Sequence, residues 1–445
     1  MRYVLTIFCI TTFFLTTNAQ SASGIIKILK ETNAKISALP CTKGSGNLIS
    51  NRAMNLFLAG KVGSYLSEES DLSYYKNNIT FNSADGLLSL NHNLFQPSGA
   101  DDVVRSFMVV GVKAGIEGSL SRGSKTTSAN QFGFTLRQTW LGKPNTLYQK
   151  CSPDISHYKS SKVVIDALRA GILYNIESEI NNKSKTFEDG LIHIKSTNVS
   201  GENIDSVKEK NRVQFYSSMK DEYDREFADR QAQLLLNTKN YSRITSSWTN
   251  LMVYVPLIRE RFVLAETVLS PLNRRFSYPA KISLIHTRFI ESLKAGRLFL
   301  SLGGEVYLNN TASSNEMKTY TDVEYRSHGG NDTTGLAKFN SASIYIGKYS
   351  NFVTTSVKGK VVYIPPNWHF GIALMLIKNF GQYNPLNGTI GVPIVLINKN
   401  SNPSVNFEFD VHYFDLTDSI LPYTKIGDKV SIGITMGVPF SKIIY

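Results

Sequence analysis

Glu408, Asp410 and His412 stand two residues apart in the run Val405–Tyr413. Strand side chains point to opposite faces with a period of two. An extended chain there puts two carboxylates and an imidazole on one face. Val405, Phe407, Phe409, Val411 and Tyr413 share the other. Lys358 and Lys360 are set the same way within Val353–Tyr363, Lys113 within Met108–Ile116, and Arg137 within Phe132–Trp140. Two chemistries suit such faces. Opposed basic and acidic walls give a polar path its ion selectivity. An imidazole beside carboxylates can also do acid–base work in a hydrolase. The second needs a nucleophile in a recognisable setting. The chain has no Gly-x-Ser-x-Gly, no His-Glu-x-x-His and no Cys/His spacing of a metal site. Gly303-Gly304 and Gly329-Gly330 precede no helix with Lys-Ser or Lys-Thr, so no phosphate cradle is expected. The reading is therefore not an enzyme, with no metal and no cofactor, and with these seven side chains as candidate lining residues.

The elements that would carry them are strands. The clearest is Val430–Phe440, with Val430, Ile432, Ile434, Met436, Val438 and Phe440 on one face and Ser431, Gly433, Thr435, Gly437 and Pro439 on the other. Less regular strands are expected near 55–67, 86–96, 246–257, 258–269, 276–289, 296–309, 341–350, 368–380 and 388–398. Pro365-Pro366-Asn367, Asn384–Gly388 and Asn400–Pro403 supply turns. Together these predict about 14 strands in an antiparallel meander, in the range of about 12–16. The stretch 310–340, rich in Asn, Ser, Thr and Gly, reads as a long surface loop.

The middle of the chain follows another period. Ile165, Leu168, Ile172, Ile176 and Ile180 recur every three or four residues, which predicts a helix over 161–182. Met219, Tyr223 and Phe227, with the acid-first pairs Asp221/Arg225 and Glu226/Arg230, predict a second over 203–237. Ile25, Ile28, Leu29 and Ile36 suggest a short helix within 20–50 that plugs or braces the strands. The fold class is thus all-β with a helical insertion.

The N-terminus bears on the compartment. Arg2, the apolar run Val4–Leu15 and Thr17-Asn18-Ala19 before Gln20 have the form of a secretory signal peptide. No later stretch offers 18 consecutive apolar residues. Of three cysteines, Cys9 lies in the apolar run; this leaves Cys41 and Cys151, either as a disulfide or as two separate thiols. The formal charge of +13 becomes +12 without Arg2. Its Lys and Arg are dispersed rather than clustered, which argues against nucleic acid. They suit an anionic membrane surface or an anion-favouring interior.

With this signal peptide and these strands, above all over 341–445, the chain resembles Gram-negative outer-membrane β-barrel proteins. The resemblance covers most of the chain outside 152–245; Phe440 completes the last pattern, and Tyr445 stands off register from it. It implies an antiparallel transmembrane barrel in the outer membrane, with lipid as partner. The expected organisation is a signal peptide over 1–19, a periplasmic or plug segment over 20–50, first strands over 51–151, a helical insertion over 152–245 and the remaining strands over 246–445. If a strand lies near 55–67, the insertion follows an even strand and leaves on the periplasmic side; otherwise it leaves outside the cell. The leading functional expectation is a passive, porin-like pore or transporter for small polar or anionic solutes. The alternatives are a closed barrel anchoring the helices as a docking module for a protein partner, a barrel-embedded hydrolase using His412, and, at the level of fold, a secreted β-sandwich.

Overall fold

The computed structural model describes residues 21–38, 48–62, 77–82, 87–93, 106–115, 132–148, 155–192, 204–238, 241–267, 270–314, 317–327, 336–397, 403–420 and 429–440. The segment 1–19 read as a signal peptide, Cys41, Cys151 and the Asn/Gly-rich centre of 310–340 lie outside them. The chain divides into two compact units, one spanning 1–57, 97–104 and 146–241, the other 58–96, 105–145 and 242–445.

The first unit is helical: α1 (Ala22–Ser37), the start of α2 (Asn51–Val62), α3 (Ile155–Ile192) and α4 (Ile204–Thr238). At 1.5 Å per residue, α3 is about 57 Å long. Its period buries Ile165, and packs Leu173, Ile176 and Ile180 against Tyr216, Met219, Tyr223 and Phe227 of α4, with Ile25 and Leu29 of α1 completing the core. The pairs Glu188–Arg212, Lys183–Glu222 and Glu179–Arg230 run in opposite chain directions, so α3 and α4 are antiparallel. Two sequence details shift. Leu168 is exposed, and the buried position beside it belongs to Arg169. Arg225 donates to the backbone oxygen of Asp221 rather than to its carboxylate.

The second unit is mostly antiparallel sheet. Its strands include β1 (Asn77–Asn82), β2 (Leu87–Asn93), β3 (Ser106–Gly115), β4 (Phe132–Leu141), β6 (Tyr241–Pro256), β9 (Lys281–Ser292), β10 (Gly296–Asn310), β13 (Asn351–Ile364), β14 (Ile372–Phe380), β15 (Leu386–Ile397), β16 (Pro403–Tyr413) and β17 (Val430–Phe440). The short β5 (Asn145–Tyr148) follows β4. The order is β4-β3-β2-β1-β17-β16-β15-β14-β13-β10-β9-β6-β5, and β4 also pairs with β6; the twelve strands other than β5 are the longer ones. Each of these twelve strands therefore has an antiparallel neighbour on both sides. The remaining strands, β7 (Glu260–Ala265), β8 (Asn273–Ser277), β11 (Lys318–Ser327) and β12 (Leu336–Ile346), make a second sheet in the order β11-β12-β7-β8.

Three expectations need correction. The described part of the segment 55–67, up to Val62, is helix and not strand. Ala53, Met54, Phe57 and Leu58 are all buried, at helical spacing, and form part of α2. The stretch 310–340 is not simply loop, since β11 and the start of β12 pair within it. The run 276–289 breaks at Tyr278–Ala280 into β8 and β9, and 258–269 yields β7, so neither belongs wholly to the main sheet. β1, which the sequence reading missed, restores the even count. β4 ends and β6 begins at the end of the sheet where β1 starts and β17 finishes.

Candidate functional site

Alternation along each strand sorts the sheet into two faces. On β17, Ser431, Gly433, Thr435 and Gly437 are buried and Ile432 is exposed. On β13, Thr354, Ser356, Lys360 and Val362 are buried, while Val353, Val357, Val361 and Tyr363 are exposed. On these strands the inner, buried face carries the polar side chains and the outer face the apolar ones, the reverse of a water-soluble sheet; elsewhere the inner face also buries Trp248, Phe289 and Phe299.

All seven candidate residues fall on the inner face by this alternation. Lys360 Nζ lies 3.2 and 3.3 Å from the two carboxylate oxygens of Glu408. Its strand β13 and Glu408's strand β16 are separated by β14 and β15. Three strand spacings of about 4.8 Å would hold a flat sheet's backbones about 14 Å apart. The side chains meet because the inner face is concave. Both are almost fully buried, at 3% and 4% side-chain exposure. Thr435 Oγ1 donates to Asp410 Oδ2 at 3.2 Å from the neighbouring β17. A Cβ on Gly391 would sit 2.5 Å from Asp410 Oδ1 and 2.7 Å from Glu408 Oε1, so glycine leaves the room these carboxylates fill. Lys113 lies over the Tyr254 ring at 5.7 Å. That ring in turn occupies the space where a side chain on Gly133 would be. Arg137 and Lys358 are half-buried on the same wall.

His412 shares a hydrogen bond with Thr389 Oγ1 through Nδ1, at 3.0 Å. Thr389 is its direct cross-strand partner. Its Nε2 meets no hydrogen-bond partner among the described residues. A nucleophile–base pair needs a third group to orient the base, and this Thr–His contact has none; it is a cross-strand polar pair.

Sequence reading missed two further ion pairs on the inner wall: Lys281–Glu305 at 2.8 Å and Arg297–Glu291 at 3.5 Å. Both join β9 to β10. The break at Tyr278–Ala280 was the missing signal, because once β9 starts at Lys281, the odd positions read Lys-Ser-Ile-Thr-Phe-Glu. Between the charges run Thr139–Asn250 at 2.8 Å and Thr287–Ser301 at 2.9 Å. Thr287 and Thr354 have no exposure at all.

The outer face is the opposite. Among the described residues, twenty-six large apolar side chains on eleven of the twelve strands are exposed, among them Leu302 at 66% and Ile432 at 60%. On β13 the exposed set runs from Val353 to Tyr363. Ten residue steps of about 3.3 Å make a row of about 33 Å, and the tilt of about 40° usual in a barrel would give it a height of about 25 Å. Trp140, Tyr363 and the tilted ring pair Trp368–Phe370 (4.5 Å between centroids) lie exposed at the end where β1 starts. One departure is β9, where His286 and Arg288 share the outer face with Ile282 and Leu284. His286 bonds Thr249 there at 3.0 Å. Arg288 is four residues from the strand's end, close enough for a long side chain to reach past an apolar surface.

In the helical unit the strongest charge effects sit on α3 and α4. The Arg212 hydrogen bond, with help from Tyr216, holds the Glu188 carboxyl below its ordinary range. Burial pushes the Tyr216 and Tyr223 phenols up. Among the described residues, no group of three or more His, Cys, Asp or Glu could hold a metal ion, and no helix is long and apolar enough to cross a membrane. The chain matches no protein-family model and no curated protein.

Proposed function

We propose that the twelve strands close into a transmembrane β-barrel of outer-membrane type, sealed at rest, which anchors the helical unit as a docking module for a protein partner. The carrying observation is the pairing of an exposed apolar outer face with a buried, ion-paired inner one. Lipid would meet the outer face, whose height of about 25 Å suits a hydrocarbon band. Ring pairing from β4 round to β6 supports closure, since it leaves none of the twelve strands with an open edge. Sealing is supported by the burial of Lys360, Glu408, Thr287 and Thr354. Residues lining a water-filled channel would be wet.

Passive conduction is the second reading, and one observation favours it. Among the described residues the inner wall holds six cations (Lys113, Arg137, Lys281, Arg297, Lys358, Lys360) against four anions (Glu291, Glu305, Glu408, Asp410), a net of 6 − 4 = +2. An opened barrel would therefore prefer anions. The test is the purified chain in a planar bilayer, preceded by electrophoresis with and without boiling. A heat-dependent mobility shift with no steady conductance supports the sealed anchor. A shift with anion-selective conductance, altered by K358E/K360E, moves the conclusion to a pore. No shift, with recovery in the soluble fraction, sinks both.

A further inference from the structure

The rim opposite the end where β1 starts carries a surface of its own. β6 stays beside β4 through Leu257 and Ile258, whose amides both donate to Phe132 O at 2.7 and 3.2 Å. One residue on is Arg259, and β7 begins at Glu260. On the returning side β8 ends at Ser277, only three residues before β9 starts. The β7–β8 hairpin is thus tied to the rim at both of its ends. β8 is the last strand of its sheet.

Register decides what the hairpin presents. Arg261 pairs with Phe276, and Val263 with Arg274. Arg259, Arg261, Arg274 and Phe276 therefore share one face, with Leu272 and Tyr278 continuing the alternation. The other face buries Phe262 and Leu264 against Tyr345 and Met317. All six residues of the first face are exposed. The Arg259 guanidinium lies 3.9 Å from the centre of the Phe276 ring. None of the three arginines forms an ion pair among the described residues, and Glu260 of the same hairpin is buried on the other face. Counting by twos, Arg259 and Arg261 extend the outer row of β6 (Val253, Val255), and Arg274, Phe276 and Tyr278 extend the outer row of β9 (Ile282, Leu284).

From this we infer that the β7–β8 face is a binding site for the phosphate-bearing headgroup of an anionic membrane lipid. The inference rests on the reading of the outer face as lipid-facing. Its occupant follows from continuity and charge. An apolar wall that meets acyl chains runs directly into three arginines interleaved with Leu272, Phe276 and Tyr278. Arginine's planar fork grips phosphate in two places. The aromatic and aliphatic groups suit the glycerol and upper acyl region just beneath. A soluble anion would use the arginines alone and leave the apolar half of the face without a role.

The test uses the full chain reconstituted in vesicles of phosphatidylcholine with one quarter phosphatidylglycerol, then re-extracted in neutral detergent. Phosphatidylglycerol retained per protein is counted by mass spectrometry, for the wild type and for R259Q/R261Q/R274Q. Each arginine near an anionic surface changes lipid partition by about fivefold at low salt, so the triple variant should retain at least about tenfold less. The single variant R261Q should fall between. Equal retention by wild type and triple variant, with both showing a heat-dependent mobility shift, overturns the site. Displacement of the lipid by millimolar inorganic phosphate also overturns it, in favour of a free-anion site. Absence of the mobility shift in the wild type would instead remove the barrel reading on which the site depends.

Discussion

Replacing Lys360 by Met asks how dry the inner wall is. In a sealed interior, the change leaves Glu408 buried without its cation, 3.2 Å from where that cation stood. Removing one partner of a buried pair costs about 3–5 kcal/mol. In a water-filled channel the same pair is screened and contributes only about 0–1 kcal/mol. The two readings of the interior thus differ by several kcal/mol on one substitution. The double variant K360M/E408L sharpens the comparison, because replacing a buried pair by apolar residues is close to neutral or stabilising. A sealed wall predicts a large loss for K360M and recovery in the double variant. The assay is urea unfolding of the refolded chain in lipid vesicles, followed by tryptophan fluorescence and checked by the heat-dependent mobility shift. Trp248 on β6 is fully buried and suits the probe. If K360M unfolds within about 1 kcal/mol of wild type, the pair is hydrated, and the sealed-anchor conclusion falls even if the barrel stands.

Four other outcomes are expected. Leu302→Arg on the outer face should cost about 2–4 kcal/mol in vesicles; on an ordinary water-exposed surface the same change is close to neutral, so the vesicle unfolding midpoint decides. Gly391→Ala should push the Glu408 and Asp410 carboxylates out of place at a cost of about 1–3 kcal/mol, read by the same unfolding curve. Arg169→Leu should open the helical unit. Its guanidinium, fully buried, donates to Asn33 Oδ1 and O, Leu48 O, Asp166 Oδ1 and Ser37 Oγ, and each acceptor left alone costs about 1–3 kcal/mol; hydrogen exchange in α1 should rise and that of the main sheet should not. Glu188 is held below its ordinary range by Arg212, so its contribution is complete above the unfolded carboxyl value of about 4.3 and fades as pH falls through the lower folded value. E188Q should abolish that acid-side loosening of α3 against α4, again by hydrogen exchange.

Much of this was legible wherever a strand alternates strictly. β13, β16 and β17 place polar and apolar side chains as their period requires, and with them Lys358, Lys360, Glu408, Asp410 and His412. α4 buries Met219, Tyr223 and Phe227 as their spacing demands. Legibility ended where tertiary context overrides local pattern. The buried set of α2 includes Arg52 and Asn55 beside Ala53, Met54, Phe57 and Leu58, so neither a period of two nor a clean apolar stripe stands out. β1, Asn-Asn-Ile-Thr-Phe-Asn, has only two large apolar residues and declares itself through β2 and β17. Arg169 reads as a solvent-facing residue until α1 and Leu48 supply its acceptors. The inner ion pairs join residues up to 48 positions apart, a relation that no local pattern encodes.

A soluble β-sandwich would bury the apolar rows of these strands against a second sheet and leave the charged rows in water. Here Lys360, Glu408, Asp410 and Ser431 are buried, and Leu302, Leu374, Leu376 and Ile432 are more than half exposed. Twenty-six such outward side chains leave on the order of 2,000 Å² of apolar surface in contact with the surroundings, several times the patch of a typical soluble monomer. In the proposed barrel, hydrocarbon around the sheet would remove that penalty, and it would also give the inner polar rows their reason. In lipid, backbone and charged groups must find partners inside the protein. Thr435 on Asp410, Lys360 on Glu408 and Ser301 on Thr287 supply them. Under the proposed barrel, lipid outside and polar pairing inside would be two consequences of one surrounding medium, and moving either row to the other face would lose both.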